Sequence, residues 1–125
     1  MDNLLIENTK KTPKVSFSNE GRIRISGRST PEDASKFYDA LYVWISEYCK
    51  DPNEITTVDI ELEYFNSGTS KSLLNILKEL VNSVTASHKL IINWYYEEGD
   101  DDILERGEYY ESILDVKFNY IETTL

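Results

Sequence analysis

Apolar residues fall at every second position from Lys14 to Ser18 and again from Arg22 to Ser26, on either side of Asn19-Glu20-Gly21. That is the pattern of two strands joined as a hairpin. The period then changes. Ala34, Phe37, Tyr38, Leu41, Trp44, Ile45 and Tyr48 recur at helical spacing, introduced by Ser29-Thr30-Pro31-Glu32 and ended by Asp51-Pro52-Asn53. A hydroxyl cap and a proline in the first turn are expected of a helix start. Alternation returns from Ile55 to Tyr64, and Leu73, Leu74, Leu77, Leu80, Val81 and Val84 then predict a helix from about Ser70 to Ser87. His88 to Tyr96 reads as a strand whose Leu90-Ile91-Ile92 run predicts burial on both faces. A shorter helix over Asp101–Leu114 and a strand over Val116–Glu122 complete the series. The second half is therefore β-α-β-α-β, which calls for right-handed crossovers and parallel strands. With the hairpin added, the expected fold is α/β: a single domain with a mixed, mostly parallel sheet and about three helices. The ends, 1–11 and 123–125, are expected to be loose.

Between the strand ending at Tyr64 and the following helix lies Phe65-Asn66-Ser67-Gly68-Thr69-Ser70-Lys71. Hydroxyls at a helix start have two readings. They cap free backbone N–H groups, or one of them accepts a phosphate, which a helix start tolerates and which adds about −1.5 to −2 charges to the loop. The local pattern leaves both open.

Length, charge and cysteine content narrow the classes. A chain of 125 residues fits one domain. No apolar run is long enough to span a membrane, and the start, Met1-Asp2-Asn3-Leu4-Leu5-Ile6-Glu7-Asn8, lacks the features of a signal peptide. The lone Cys49 suits a reducing cytoplasm. A net charge of −10 argues against nucleic acid and anionic membrane, and for basic protein surfaces as partners.

Catalytic chemistry finds little support. His88 is the one histidine, Cys49 has no nucleophile setting, and there is neither a Gly-rich phosphate loop nor a Cys/His metal spacing. Neither a cofactor nor a metal is expected. Glu97, Glu98, Asp100, Asp101, Asp102, Glu105, Glu108 and Glu111 crowd one loop and helix without the ligand spacing of a calcium site. A solvated face is the reading adopted, with a basic partner or a divalent metal as alternatives. Tyr64-Phe65, Trp94-Tyr95-Tyr96 and Tyr109-Tyr110 stand at strand ends or on the acidic helix. Half of each group is expected in the core, while Tyr64 and Tyr96 could share a rim with the hydroxyl turn.

Several blocks, in order, resemble the SiaC family of bacterial regulatory phosphoproteins. They are Thr12-Pro13-Lys14-Val15-Ser16-Phe17, Ile25-Ser26-Gly27-Arg28-Ser29-Thr30-Pro31-Glu32, Lys36-Phe37-Tyr38 with Trp44, and Leu62-Glu63-Tyr64-Phe65-Asn66-Ser67 ending in Ser70-Lys71. Asn93-Trp94-Tyr95-Tyr96 and Asp101-Asp102-Ile103-Leu104-Glu105-Arg106-Gly107-Glu108 continue the series, which runs from about Thr12 to Glu122. The resemblance implies a fold similar to the STAS domain of anti-sigma-factor antagonists, and a non-enzymatic role in partner switching. It implies phosphorylation on a hydroxyl by a histidine-kinase-like Ser/Thr kinase and removal of the phosphate by a PP2C-type phosphatase. The unmodified form would bind and activate a target such as a diguanylate cyclase, raising cyclic di-GMP and favouring biofilm growth.

Carried over by position, the family's phosphoacceptor falls on Ser67, and this resemblance favours the switch over simple capping. Gly68 replaces a hydroxyl residue and is expected to loosen the turn, which keeps Thr69 and Ser70 as alternative acceptors. Tyr64, Phe65, Asn66, Gly68, Lys71, Arg28 and Tyr96 are the expected partner-binding residues. A constitutive adaptor or an anti-sigma-factor antagonist without a switch, and a small metal-dependent enzyme, are the competing readings.

Overall fold

The computed structural model describes residues 1–124. One six-stranded sheet runs in sequence order: β1 (Leu4–Ile6), β2 (Lys14–Ser18), β3 (Arg22–Ser29), β4 (Ile55–Phe65), β5 (Lys89–Glu97) and β6 (Asn119–Thr123). β1, β2 and β3 pair antiparallel, and β3 through β6 pair parallel. The mixed α/β architecture expected from the alternating patterns is present, with the hairpin at its N-terminal side.

Each parallel step is bridged by a helix: α1 (Ala34–Tyr48), α2 (Ser67–Val84) and α3 (Asp101–Leu114). The strands follow one another in a single direction, so right-handed crossovers put all three helices on the same side. The core lies between the layers. From the sheet it takes Val15, Phe17, Ile23, Ile25, Val58, Ile60, Ile92 and Trp94; from the helices Leu41, Ile45, Leu73, Leu77, Leu80 and Tyr110. The other face of the sheet is polar. There Asp59 is buried beneath Arg22 (3.2 Å), Asn93 (2.9 Å) and Tyr95 (3.3 Å), which satisfy its carboxylate.

One-sided covering corrects an expectation. Ile91 is only half-buried, because no helix covers the second face of β5. The N-terminus is corrected too. Leu4–Ile6 forms β1 against β2, and the Trp44 indole N–H donates to the Asp2 carbonyl at 2.8 Å. At the other end Thr123 belongs to β6, while Leu125 lies outside the described residues.

The start of α1 also differs from expectation. Its N-cap is Asp33, whose carboxylate accepts from the Lys36 N–H at 3.2 Å. Ser29 is a buried residue of β3 and Thr30 donates its N–H to the Lys11 carbonyl at 2.7 Å. A residue before proline is disfavoured in the helical region, so Thr30 continues the extended chain instead of capping. α3 approaches the sheet closely at Gly107, where a Cβ would lie 2.6 Å from Trp94 Nε1. The Trp94 N–H donates to the Ile103 carbonyl at 2.9 Å, so the same ring fills that space and ties α3 to β5. Among the described residues no helix is long and apolar enough to cross a membrane.

Candidate functional site

The hydroxyl turn sits where β4 passes into α2. Asn66, not a hydroxyl residue, caps the helix: its Oδ1 accepts from the Thr69 N–H at 3.0 Å. Its Nδ2 donates to the Pro31 carbonyl at 3.0 Å and its N–H to the Ser29 carbonyl at 3.1 Å. One asparagine therefore fixes the helix start to the chain leaving β3. α2 begins at Ser67, three residues before the expected start.

The three hydroxyls have different surroundings. Thr69 is fully buried, donates to the Ser29 carbonyl at 3.2 Å and lies 2.8 Å from Ser29 Oγ. Ser29 Oγ in turn lies 2.8 Å from the Tyr38 hydroxyl, and burial pushes that phenol up to about 12. Ser70 is half-buried, with its Oγ 2.7 Å from the Tyr110 hydroxyl, which also donates to the Ser70 carbonyl at 2.7 Å. Burial pushes the Tyr110 phenol to about 12 as well. Ser67 is exposed, and among the described residues its hydroxyl has no hydrogen-bond partner. Thr69 and Ser70, the alternative acceptors, are thus engaged inside the fold and Ser67 is free. Gly68 does not loosen the turn. It is a helical residue whose hydrogen faces Ala34, where a Cβ would come within 3.1 Å of the Ala34 Cβ, and it lets the two helices meet.

A bulge decides which aromatic faces out. Gly27 pairs with Leu62 but Arg28 pairs with Tyr64, so Glu63 is an extra residue on β4. Thr56, Val58, Ile60 and Leu62 point to the helices; beyond the bulge the order inverts. Tyr64 emerges on the surface and Phe65 turns into the core, edge-on to Trp94. Phe65, expected as a partner contact, is therefore a core residue. The Arg28 guanidinium lies 5.2 Å from the Tyr64 ring centre.

Arg106 is the residue that sequence reasoning missed, although it stands in one of the quoted blocks. Its guanidinium donates to the Phe65 carbonyl at 2.6 Å and lies 4.7 Å from the Phe65 ring centre and 5.6 Å from that of Tyr64. Asp102, one turn earlier on α3, holds its Nε at 3.2 Å. Tyr96 does not join this group. The pairing of Ile60 with Trp94 sets it level with Leu62, and its ring packs partly against the core.

Lys71 and Gly68 also line one end of a groove of about 680 Å³ between α1 and α2. Glu32, Asp33 and Asp39 line it from the start of α1, and Lys71, Lys78 and Glu79 from α2. On α3, Asp100 is the N-cap, while Asp101 and Asp102 occupy the first turn, where negative charge complements the helix dipole. Glu111 is not part of a solvated face: its carboxylate accepts from the Phe118 N–H at 2.6 Å and the Tyr120 hydroxyl at 2.9 Å. Among the described residues no group of three or more acidic, histidine or cysteine side chains converges as a metal site.

Comparison with known proteins gives the family and the fold. The family model described as "SiaC family regulatory phosphoprotein" matches residues 6–123. An uncharacterized protein of Pseudomonas aeruginosa strain UCBPP-PA14 is 24% identical over 109 residues, 86% of each chain. The solved SiaC of Pseudomonas aeruginosa superposes with a TM-score of 0.84 at 21% identity, covering 100% of both chains. The SiaC chain of a crystal structure in which it is bound, as activator, to the diguanylate cyclase SiaD of Pseudomonas aeruginosa gives 0.84 at 22% identity. There 98% of this chain and 99% of that one are covered.

Proposed function

This chain belongs to the SiaC family of regulatory phosphoproteins, and on that premise we propose that it is a non-enzymatic partner-switching regulator controlled at Ser67. A histidine-kinase-like Ser/Thr kinase adds a phosphate to the Ser67 hydroxyl, and a PP2C-type phosphatase removes it. In the cytoplasm the unmodified form binds and activates a diguanylate cyclase, the role that SiaC of Pseudomonas aeruginosa has in its complex with SiaD. Cyclic di-GMP and biofilm growth are then the output.

One observation carries the choice of residue: Asn66 already caps α2, so the exposed Ser67 hydroxyl has no task in holding the fold. A residue kept only as a cap would be the one making the cap's hydrogen bond. This weighs against the adaptor reading, in which the hydroxyl turn is merely structural.

The switch acts locally. Thr69 and Ser70 anchor the first turn of α2 to β3 and α3, so a phosphate on Ser67 changes charge without unfolding the turn. The target contact is formed by Tyr64, Arg28, Lys71 and the exposed start of α2. Placing about −1.5 to −2 charges in a contact that must lose water costs several kcal/mol. Kinase, phosphatase and target all need the same turn and exclude one another.

Mass spectrometry of the protein purified from its native host, with and without PP2C-type phosphatase treatment, tests this. A single phosphatase-sensitive phosphate on the peptide carrying Ser67 is the expected result. A protein unmodified under all growth conditions, and untouched by any kinase encoded beside it, overturns the reading and leaves the adaptor.

A further inference from the structure

The chain carries 23 acidic against 13 basic side chains, yet two arginines from distant elements meet at one tyrosine beside the switch residue. Arg28 comes from β3 and Arg106 from α3, and their guanidinium carbons lie 5.2 and 5.6 Å from the Tyr64 ring centre. Stacking on an aromatic ring fixes a guanidinium in place while leaving its N–H groups free for a ligand. Arg28 has a single weak engagement, Glu63 at 3.7 Å. Arg106 uses Nη1 on the Phe65 carbonyl and Nε on Asp102, which leaves its second terminal nitrogen uncommitted. The bulge at Glu63 turns Tyr64 outward and so exposes this pair.

Ser67 is close at hand. Arg106 Nη1 lies 2.6 Å from the carbonyl of Phe65, two residues before Ser67, and the fixed spacing of backbone atoms keeps the Ser67 Cα within about 9 Å of that nitrogen. A phosphoseryl and an arginine side chain together span such a gap. Lys71, four residues beyond Ser67 in α2, adds a third cation on the same helix face. Asp102 and Glu63 oppose the approach, and both are solvent-exposed and therefore screened.

We propose that Arg28 and Arg106, gathered on Tyr64, form a receptor for the phosphate carried by Ser67. The inference rests on the switch reading above and adds its mechanism. Phosphorylation does not only repel the target; the phosphate occupies the cationic patch and removes that patch from the target's reach. Arginine offers paired donors in the geometry phosphate accepts, which lysine does not. The receptor favours the dianion, so it holds the second ionisation of the phosphate below its ordinary value of about 6.

The test is a ³¹P NMR pH titration of the full chain with phosphoserine incorporated at position 67. The expected result is a phosphate pKa roughly 1 unit or more below 6, which rises toward 6 in Arg28→Gln and in Arg106→Gln. Arg106→Lys keeps the charge and the support to Phe65 while losing the paired donors, and is expected to fall between. Arg28→Gln alters an exposed side chain and leaves the fold intact, so a failure of Arg106→Gln to fold does not block the test. A phosphate that titrates near 6 in the unsubstituted chain, or alike in all variants, overturns the receptor and leaves the switch at Ser67 standing. A native phosphate found on another residue would instead overturn the switch reading, whatever the incorporated phosphoserine does.

Discussion

Thr69 and Ser29, forty residues apart in the chain, hold each other by two contacts: the threonine hydroxyl donates to the Ser29 carbonyl at 3.2 Å and lies 2.8 Å from Ser29 Oγ. Neither side chain is accessible to water. The pair fastens the first turn of α2 to the end of β3. Replacing Thr69 with valine keeps the shape and removes the hydroxyl, leaving the Ser29 hydroxyl with Tyr38 alone. A loss of about 1–3 kcal/mol is expected in urea unfolding, with phosphorylation at the turn preserved.

Two adjacent residues should behave in opposite ways. Asn66→Ala removes the cap of α2 and the tie to Pro31, and is expected to cost about 1–2 kcal/mol of stability. Ser67→Ala should change the melting midpoint by no more than an ordinary surface substitution, about 0.5 kcal/mol. Thermal unfolding of the two variants side by side checks the contrast.

Binding to the target separates the substitutions at Ser67. Ser67→Ala should bind a partner cyclase constitutively, including in cells where the kinase is active. Ser67→Asp should bind weakly; a penalty of ~3 kcal/mol lowers occupancy more than a hundredfold. Titration calorimetry with the purified partner measures both. If both variants bind like the unsubstituted chain, the turn is not the switch.

Gly107 leaves no room for a side chain, because a Cβ there would lie within 2.6–2.8 Å of three atoms of the Trp94 indole. The ring is backed by Phe65, Tyr110 and Phe118 and cannot move away freely. Gly107→Ala is expected to destabilise by about 1–3 kcal/mol despite the better helix propensity of alanine. Tryptophan fluorescence during denaturation would report both the loss and the altered setting of Trp94.

Alkaline pH should loosen the same region. Burial raises the Tyr38 and Tyr110 phenols from 10 to about 12. The unfolded chain therefore gives up these protons first, and above pH 10 it binds fewer protons than the folded one. The stability these groups contribute is complete below pH 10 and is lost as the pH rises through about 12. Unfolding midpoints measured across that window should fall as the tyrosinate absorbance, followed in parallel, rises. Tyr38→Phe should flatten the slope.

Much of the layer structure was legible because burial on one side of a sheet imposes period two on the strands and period near four on the helices. Phe17, Ile23 and Ile25 revealed β2 and β3; Leu41, Ile45 and Tyr48 revealed α1. What sequence reading missed depends on tertiary pairing. The short β1 has too few residues for a pattern and is defined by its partner β2. Asn66 went unrecognised as the cap since three hydroxyls followed it. Ile91 looked doubly buried because nothing in a linear pattern tells that all helices share one side. Arg106 lies 41 residues from the Phe65 carbonyl it touches, and only the fold brings α3 to the end of β4. The exposure of Ser67 against the burial of Thr69 is likewise a matter of which face of α2 meets β3.

The extra residue at Glu63 turns a question of chemistry into one of parity. Along β4, inside and outside alternate by odd and even count, and a single inserted position switches the count just before the strand ends. Were Glu63 instead to take a regular place opposite Arg28, the last two aromatics would exchange roles, drawing the tyrosine hydroxyl into the apolar layer and turning a phenylalanine to water. The arginines would lose their common ring, and the cap would arrive half a pleat out of phase with Pro31. Within this fold the rim can therefore be rewired by the register of one strand, with every side chain left as it is.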